Sequence, residues 1–362
     1  MRESKIINSK KSNKEKRKRR KKAVSKERLE FFIVRNKFES AKPDIIPTSQ
    51  IIKRFNLNYS LTYNLIKDAR KSGIFKISLN QPEISKLEDE LKVLLSKPHK
   101  KLKDLFIAEI DNQEQDLSRA LSEAASFYIN RLIKNVTIIV ISGGATVYSW
   151  TSSFKPYNST KEESSIEICP INADLKTIPE VVHASINADR VYKHFLKTPG
   201  YRYENVTLNK FDITEITERS YVNFHMSKCE NCKHILEKIK KSDMIITGIE
   251  DLNTESTFWQ VLKHYDIDPS KLKDKGIVGN VAFRAFTLDG KIIPTGLEKY
   301  LISINPTEMR LISNKKIRKY FIGIAGGLDK VNAIIGAARS GLINILITDE
   351  ITAKELKKRL TI

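Results

Sequence analysis

Short apolar runs alternate with helical segments over most of this chain. Runs such as Val136–Ile141, Met244–Thr247 and Phe321–Ile324 have the length of a strand, and a turn-rich or helical segment soon follows each one. Strands that alternate with helices are typical of a mainly parallel sheet with helices on both faces. The sequence therefore predicts an α/β fold with a doubly wound, mainly parallel sheet, preceded by a smaller N-terminal unit.

Two glycine loops follow predicted strands of this sheet. One is Ser142–Thr146 (SGGAT) and the other is Gly326–Lys330 (GGLDK). Ligands of open α/β sheets bind beyond the carboxyl ends of the strands. Glycines let backbone N–H groups approach an anion, and the helix that follows points its positive end toward it. Glycines also serve turn geometry alone, but two such loops, one with a hydroxyl and one with a lysine, favour a phosphorylated or otherwise anionic small ligand.

Residues 48–77 have the spacing of a helix-turn-helix followed by a short strand. Ile51, Ile52 and Phe55 fall at helical spacing, the period resumes at Leu61, and Gly73 ends the second helix. In this motif the second helix enters the major groove of DNA. A plain helical hairpin in a core would have the same periodicity. The residues expected to contact DNA are Ser49, Asn58, Tyr59, Ser60, Tyr63, Asn64 and Lys67.

Positive charge is concentrated around this motif. Residues 1–80 hold 23 Lys and Arg against 7 Asp and Glu, whereas the rest of the chain holds 41 against 36. Such a field attracts phosphate and supplies the salt-sensitive part of DNA affinity. Lys10–Lys22 contains no apolar residue and is expected to be a disordered arm on DNA, or else a solvated tail. The predicted units are the basic arm 1–24, the helix-turn-helix domain 25–82 and an effector-binding and oligomerisation domain 83–362.

Composition and cysteine content indicate the cellular compartment of the protein. No segment of the 362 residues is apolar enough to span a bilayer, and the N-terminus lacks the apolar stretch of a signal peptide, so a cytoplasmic protein is expected. Three cysteines cannot form a disulfide framework. His225, Cys229, Cys232 and His234 are of zinc-ligand type, but their spacing is too cramped for a structural zinc site. We expect a surface loop there, ahead of a helix that starts near Cys232, and neither a metal nor a cofactor.

The segments near the C-terminus resemble the SorC family of bacterial sugar-responsive transcriptional regulators. The strongest element is Ile322–Arg339 (IGIAGGLDKVNAIIGAAR), followed by Ile345–Glu350 (ILITDE). It resembles the family's run of apolar strand, Ala-Gly-Gly, an acid with lysine, and Leu-(Ile/Val)-Thr-Asp-Glu. Lys330 matches the family's effector-phosphate lysine. The resemblance covers nearly everything from about residue 29 to about residue 360.

Other segments resemble the family with departures. Ala145 stands in place of the usual serine of the phosphate loop, Asn280 replaces an acid that in relatives faces the sugar hydroxyls, and Asn64 stands where the recognition helix often has arginine. The resemblance implies a fold similar to glucosamine-phosphate deaminase and ribose-phosphate isomerase, and a homodimer or homotetramer on paired operators. The effector-binding residues that it implies are Gly143, Gly144, Ala145, Thr146, Gly248, Asn280 and Lys330.

Taken together, these features predict a regulator of carbohydrate metabolism, not an enzyme. Its binding to double-stranded operator DNA would be modulated by a phosphorylated sugar. A sugar-phosphate isomerase or deaminase is one alternative, but the nearby acids Asp329 and Asp349 have the simpler role of capping helices. A non-specific nucleic-acid binder acting through the basic arm is the other.

Overall fold

A computed structural model describes most of the chain beyond residue 81. The described ranges are 82–96, 102–110, 117–158, 165–175, 183–212, 229–253, 256–314 and 319–361, with residues 60, 179, 222 and 226. Ser60 is helical and exposed. The predicted basic arm, the helix-turn-helix unit and the other predicted DNA contacts lie outside the described residues: Ser49, Asn58, Tyr59, Tyr63, Asn64 and Lys67.

Strands of the described chain form two sheets. In chain order they are β1 Asp104–Ala108, β2 Ile138–Ile141, β3 Ile166–Pro170, β4 Val206–Leu208, β5 Met244–Gly248, β6 Glu250–Asp251, β7 Ile277–Val281, β8 Arg284–Thr287, β9 Tyr320–Ile324 and β10 Ile345–Asp349. Seven of them form one sheet in the order β1-β10-β9-β5-β2-β3-β4, and every neighbouring pair is parallel. The strands β6, β7 and β8 form a smaller antiparallel sheet.

Helices cover both faces of the large sheet. The α-helices of the described residues are α1 Glu83–Leu95, α2 Leu117–Leu132, α3 Ala145–Ser153, α4 Ala184–Leu196, α5 Glu230–Lys241, α6 Thr257–His264, α7 Pro269–Asp274, α8 Pro306–Asn314, α9 Val331–Ser340 and α10 Glu350–Thr361, of which α6 and α7 pack against the small sheet instead. One core contains α2, α3 and α4, and the other contains α1, α5, α8, α9 and α10. Within the described residues, no helix is long and apolar enough to cross a membrane.

Alternate residues of each strand enter opposite cores. In β2, Ile139 and Ile141 pack against α2 and α3, whereas Val140 faces the other core. The neighbouring β5 repeats the alternation with Ile246 and Ile245. Strands buried on both faces are continuous apolar runs, which is why they were visible in the sequence. The predicted α/β fold with a doubly wound, mainly parallel sheet is confirmed.

Some boundaries and one whole sheet differ from the predictions. The strand expected at 136–141 begins at Ile138, because the Asp243 carboxylate accepts hydrogen bonds from the Thr137 N–H (2.8 Å) and hydroxyl (2.6 Å). The antiparallel β6–β8 sheet and the three-residue β4 were not predicted. The strands β4 and β6 have too few residues to show a period, whereas polar residues or glycine interrupt the apolar runs of β7 (IVGNV) and β8 (RAFT).

The helix expected to start near Cys232 is confirmed, since α5 begins at Glu230, but the bond between the two cysteines was not predicted. Cys229 and Cys232 are joined by a disulfide at the start of α5, where the Cys232 N–H also donates to Cys229 Sγ (3.1 Å). Cys232 is buried among Ala173 and Ile302, whereas His234 on the same helix is exposed. His225 lies outside the described residues.

Candidate functional site

A cleft lies where the strand order of the large sheet reverses. The chain proceeds from β2 outward through β3 and β4, then returns to β5 on the other side of β2 and continues to β9 and β10. Open α/β sheets bind their ligands at such a switch point, beyond the carboxyl ends of the strands. The cleft there holds about 380 Å³ of space, part of it open to solvent. It is lined by Ser142, Gly143, Gly144, Asn172, Thr247, Gly248, Glu250, Thr257, Asn280, Ala282 and Phe283.

The glycine loop after β2 forms one wall of the cleft and leads into α3. Gly144 has φ +101°, a conformation that favours glycine, and its carbonyl accepts from the Tyr148 N–H (2.9 Å) in the first turn of the helix. The buried Asn187 of α4 donates to the Ser142 carbonyl (3.1 Å), while the Ser142 N–H donates to Ile246 of β5 (2.9 Å). The loop is therefore fixed from both sides beside a helix N-terminus, whose first N–H groups have no partner within the helix.

A hairpin of the small sheet forms the opposite wall. The tight turn between β7 and β8 places Ala282 (φ +47°) and Phe283 (φ +62°) in the left-handed region. Asn280 holds this turn, since its Oδ1 accepts from the Phe283 N–H (3.1 Å). Asn280 is only 4% exposed, and among the described residues its Nδ2 has no hydrogen-bond partner. A buried donor without a partner is costly, so this amide is available for an acceptor on a ligand.

Among the lining residues that the sequence did not identify, Glu250 is the ionisable one. It lies on β6 directly opposite Asn280 in the strand register, and its Oε2 accepts from the Phe258 N–H (3.2 Å) at the start of α6. Burial raises the pKa of the Glu250 carboxyl, and the charge of Lys330 and the amide of Asn280 partly oppose this rise. An acid two residues after the end of β5, at the same sheet edge as the glycine loop, was the signal that could have identified it.

The other predicted effector residues are distributed unevenly around the cleft. Gly143, Gly144, Gly248 and Asn280 line it. The residues that do not line it are Ala145, Thr146 and Lys330. Thr146 is close to the wall nonetheless, since a Cβ added at Gly248 would lie 3.9 Å from Thr146 Cβ. Lys330 immediately precedes α9 and is half-buried, and its charge acts on the Glu250 carboxyl.

The second glycine loop has its amide engaged within the protein. The Gly327 N–H donates to Thr352 Oγ1 (2.7 Å) and to Asp349 Oδ2 (3.2 Å). Asp349 also caps α10, as predicted, by accepting from the Thr352 N–H (2.9 Å). Asp329, by contrast, is exposed, and α9 begins without a side-chain cap, so the predicted capping role of Asp329 is wrong. The Gly327 amide is thus occupied within the protein and is not available to a ligand.

Comparisons with known proteins agree with this architecture. Residues 84–357 match the sequence profile of the family described as "Putative sugar-binding domain". The deoxyribonucleoside regulator of Bacillus subtilis is 20% identical over 307 residues, which are 85% of this chain and 91% of that protein. The sorbitol operon regulator of Klebsiella pneumoniae is 22% identical over 316 residues, which are 86% of this chain and 92% of that protein.

The solved structures show the same fold. The full-length sorbitol operon regulator SorC from Klebsiella pneumoniae aligns with a TM-score of 0.61 at 21% identity, covering 91% of this chain and 98% of that one. A DeoR family transcriptional regulator from Listeria monocytogenes aligns with a TM-score of 0.59 at 19% identity, covering 76% of this chain and 100% of that one. Since the family profile spans most of the chain, this protein belongs to the SorC family and carries its sugar-binding domain.

Proposed function

We propose that this protein is a transcriptional regulator of carbohydrate metabolism whose binding to operator DNA responds to a phosphorylated sugar in the cleft between β2 and β5. The main support for this proposal is the arrangement of the cleft. A fixed glycine loop at the N-terminus of α3 faces a buried Asn280 amide that has no partner among the described residues. Together they offer an anion site and a hydrogen-bond donor to one ligand.

The ligand's phosphate is assigned to the Gly143–Thr146 loop. The N–H groups at the start of α3 would donate to its oxygens, and the helix dipole favours its charge. Lys330 would supply the compensating cation, because its charge already acts on Glu250 at the cleft. Asn280 Nδ2 would donate to an oxygen of the sugar. This division of roles separates the part that binds phosphate from the part that reads the sugar.

The DNA-binding half of the proposal depends on the N-terminal 80 residues. Their strong positive charge and helix-turn-helix spacing favour contact with duplex DNA. Relatives of similar length are named as a sorbitol operon regulator and a deoxyribonucleoside regulator, which supports the same role here. We propose that the protein acts in the cytoplasm as a homodimer or homotetramer. A sugar phosphate changes DNA affinity only if it binds one state of that assembly better than another.

The test is selection of bound fragments from a random DNA library at near-physiological salt, with and without a panel of sugar phosphates. We expect an enriched inverted repeat whose recovery one sugar phosphate alters. A variant lacking residues 1–24 should retain the sequence preference with a weaker dependence on salt. Binding without any enriched sequence, or its complete loss on truncation, would instead indicate a non-specific nucleic-acid binder.

Lys330→Ala tests the effector half separately. It should abolish the response to the sugar phosphate and leave operator affinity near that of the wild type, because Lys330 lies beside the cleft. Lys354→Ala is the matched control, since Lys354 is an exposed cation on α10 that pairs with Glu350 (2.7 Å). An unchanged response in the Lys330 variant would refute the phosphate assignment. Assays with pentose and hexose phosphates should show no turnover, and measurable turnover would favour the enzyme alternative.

A further inference from the structure

The carboxylate of Glu250 lies against the loop that would hold the phosphate. A Cβ added at Gly144 would be 3.4 Å from Glu250 Oε1, so little more than the space of one methyl group separates this oxygen from the loop. Gly144 and Glu250 both line the cleft. A phosphate seated on the loop would therefore meet a second negative charge at close range, where the protein interior screens poorly.

The charged groups around Glu250 do not cancel this repulsion. Lys330 is the cation that acts most on the carboxylate, while Asp251 on the same strand adds a like charge. The other groups that act on Glu250 are neutral: the Phe258 N–H donates to it, and the Asn280 amide lies nearby without a direct hydrogen bond to it. One lysine cannot balance the charges of both Glu250 and a dianionic phosphate, so the cleft would keep an excess negative charge.

Capping of α6 does not by itself account for Glu250. Ser256 already caps that helix, because its hydroxyl accepts from the Trp259 N–H (3.1 Å). The helix cap therefore does not require a carboxyl group at Glu250, which adds an ionisable group to the cleft. Opposite it in the strand register, Asn280 presents a buried Nδ2 that has no partner among the described residues, which independently indicates a ligand.

We propose that Glu250 determines which ligands this cleft accepts, and that an oxyanion binds the Gly143–Thr146 loop only together with a proton on Glu250. This rests on the proposed function, which assigns the phosphate to that loop. The proton comes from solvent and resides on Oε1, and the resulting O–H donates to an oxygen of the bound anion. A neutral polyol binds without this proton, since the ionised carboxylate accepts hydrogen bonds from hydroxyl groups directly.

The linkage between proton and anion fixes the sign of the pH dependence. The bound anion raises the pKa of Glu250 above its value in the free protein, where burial has already raised it. Affinity for the anion is therefore greatest below the pKa of the free protein. Between that pKa and the higher one of the complex, it falls by about tenfold per pH unit.

Sulfate is the probe, because it stays a dianion across this range whereas a phosphate ester titrates itself. Its binding to the full-length protein is measured by titration calorimetry from about pH 5 to about pH 8, in two buffers of different ionisation enthalpy. Above the pKa of Glu250 in the free protein, we expect wild-type protein to take up close to one proton per sulfate and to lose affinity as the pH rises. Glu250→Gln keeps the side-chain shape and should bind sulfate with little dependence on pH and no proton uptake.

Asp251→Asn is the matched control. Asp251 lies on the same strand and accepts from Asn253 Nδ2 (2.6 Å), so its removal should leave the wild-type slope in place. An equal slope in Glu250→Gln, or a flat profile without proton uptake in the wild type, overturns the role of Glu250 and leaves the phosphate loop intact. Failure of both proteins to bind sulfate at any pH overturns the loop assignment itself. If the Gln variant does not fold, the number of protons that the wild type takes up per bound sulfate still tests the proposal.

Discussion

Asp349 joins the second glycine loop to the start of α10, and its removal provides a test of the structure around Lys330. The carboxylate is 1% exposed. It accepts from the Thr352 N–H (2.9 Å), from the Thr352 hydroxyl (2.5 Å) and from the Gly327 N–H (3.2 Å). Asp349→Ala removes all three acceptor contacts without changing any residue that lines the cleft.

The size of the effect follows from these contacts. Loss of a helix N-cap costs about 1 kcal/mol. A buried donor left without its acceptor costs about 1–3 kcal/mol, and the Gly327 N–H retains one acceptor, Thr352 Oγ1, at 2.7 Å. We therefore expect Asp349→Ala to lower the free energy of unfolding by about 3 kcal/mol. Asp349→Asn keeps one oxygen for the Thr352 N–H and should lose about half as much.

Urea denaturation at equilibrium, followed by circular dichroism, measures the change in the free energy of unfolding. Asp329→Ala is the control, because Asp329 is an exposed acid of the same loop, and its effect should stay within about 0.5 kcal/mol. A loss below about 1 kcal/mol for Asp349→Ala would refute the argument that this carboxylate holds the loop and α10 together. Equal losses for Asp329→Ala and Asp349→Ala would refute it as well.

Two further substitutions test the walls of the cleft. Asn187→Ala removes the buried donor to the Ser142 carbonyl and should lower the free energy of unfolding by about 1–3 kcal/mol. It should also weaken sulfate binding in calorimetry. A free energy of unfolding and a sulfate affinity equal to those of the wild type would contradict the assigned contact. Gly326→Ala places a methyl group against the Asp349 carboxylate and 3.0 Å from Leu121 Cδ1. Urea denaturation should therefore show a free energy of unfolding lower by about 1–3 kcal/mol. An unchanged free energy of unfolding would contradict this close approach.

Local patterns in the sequence were sufficient to predict the large sheet and one wall of the cleft. Apolar runs buried on both faces identify β2, β5 and β9 without reference to any partner strand. The loop at Gly143 and Gly144 could be predicted because two glycines lie between an apolar strand and the helix that follows it. The cap at Asp349 is equally local, because its acceptor contact with Thr352 spans three residues. Each of these features depends on neighbours in the chain.

The opposite wall depended on tertiary structure. Glu250 faces Asn280 because β6 pairs with β7 across about thirty residues of chain, and it reaches Gly144 because β5 lies beside β2. Likewise, the Gly327 amide is taken by Asp349 and Thr352 from a later strand and helix. The order of strands and helices and the positions of the glycine loops can be predicted from the amino acids alone, because they arise from local periodicity and backbone freedom. Which charges meet in the cleft depends on the folded chain, because burial and long-range pairing set the distances between them.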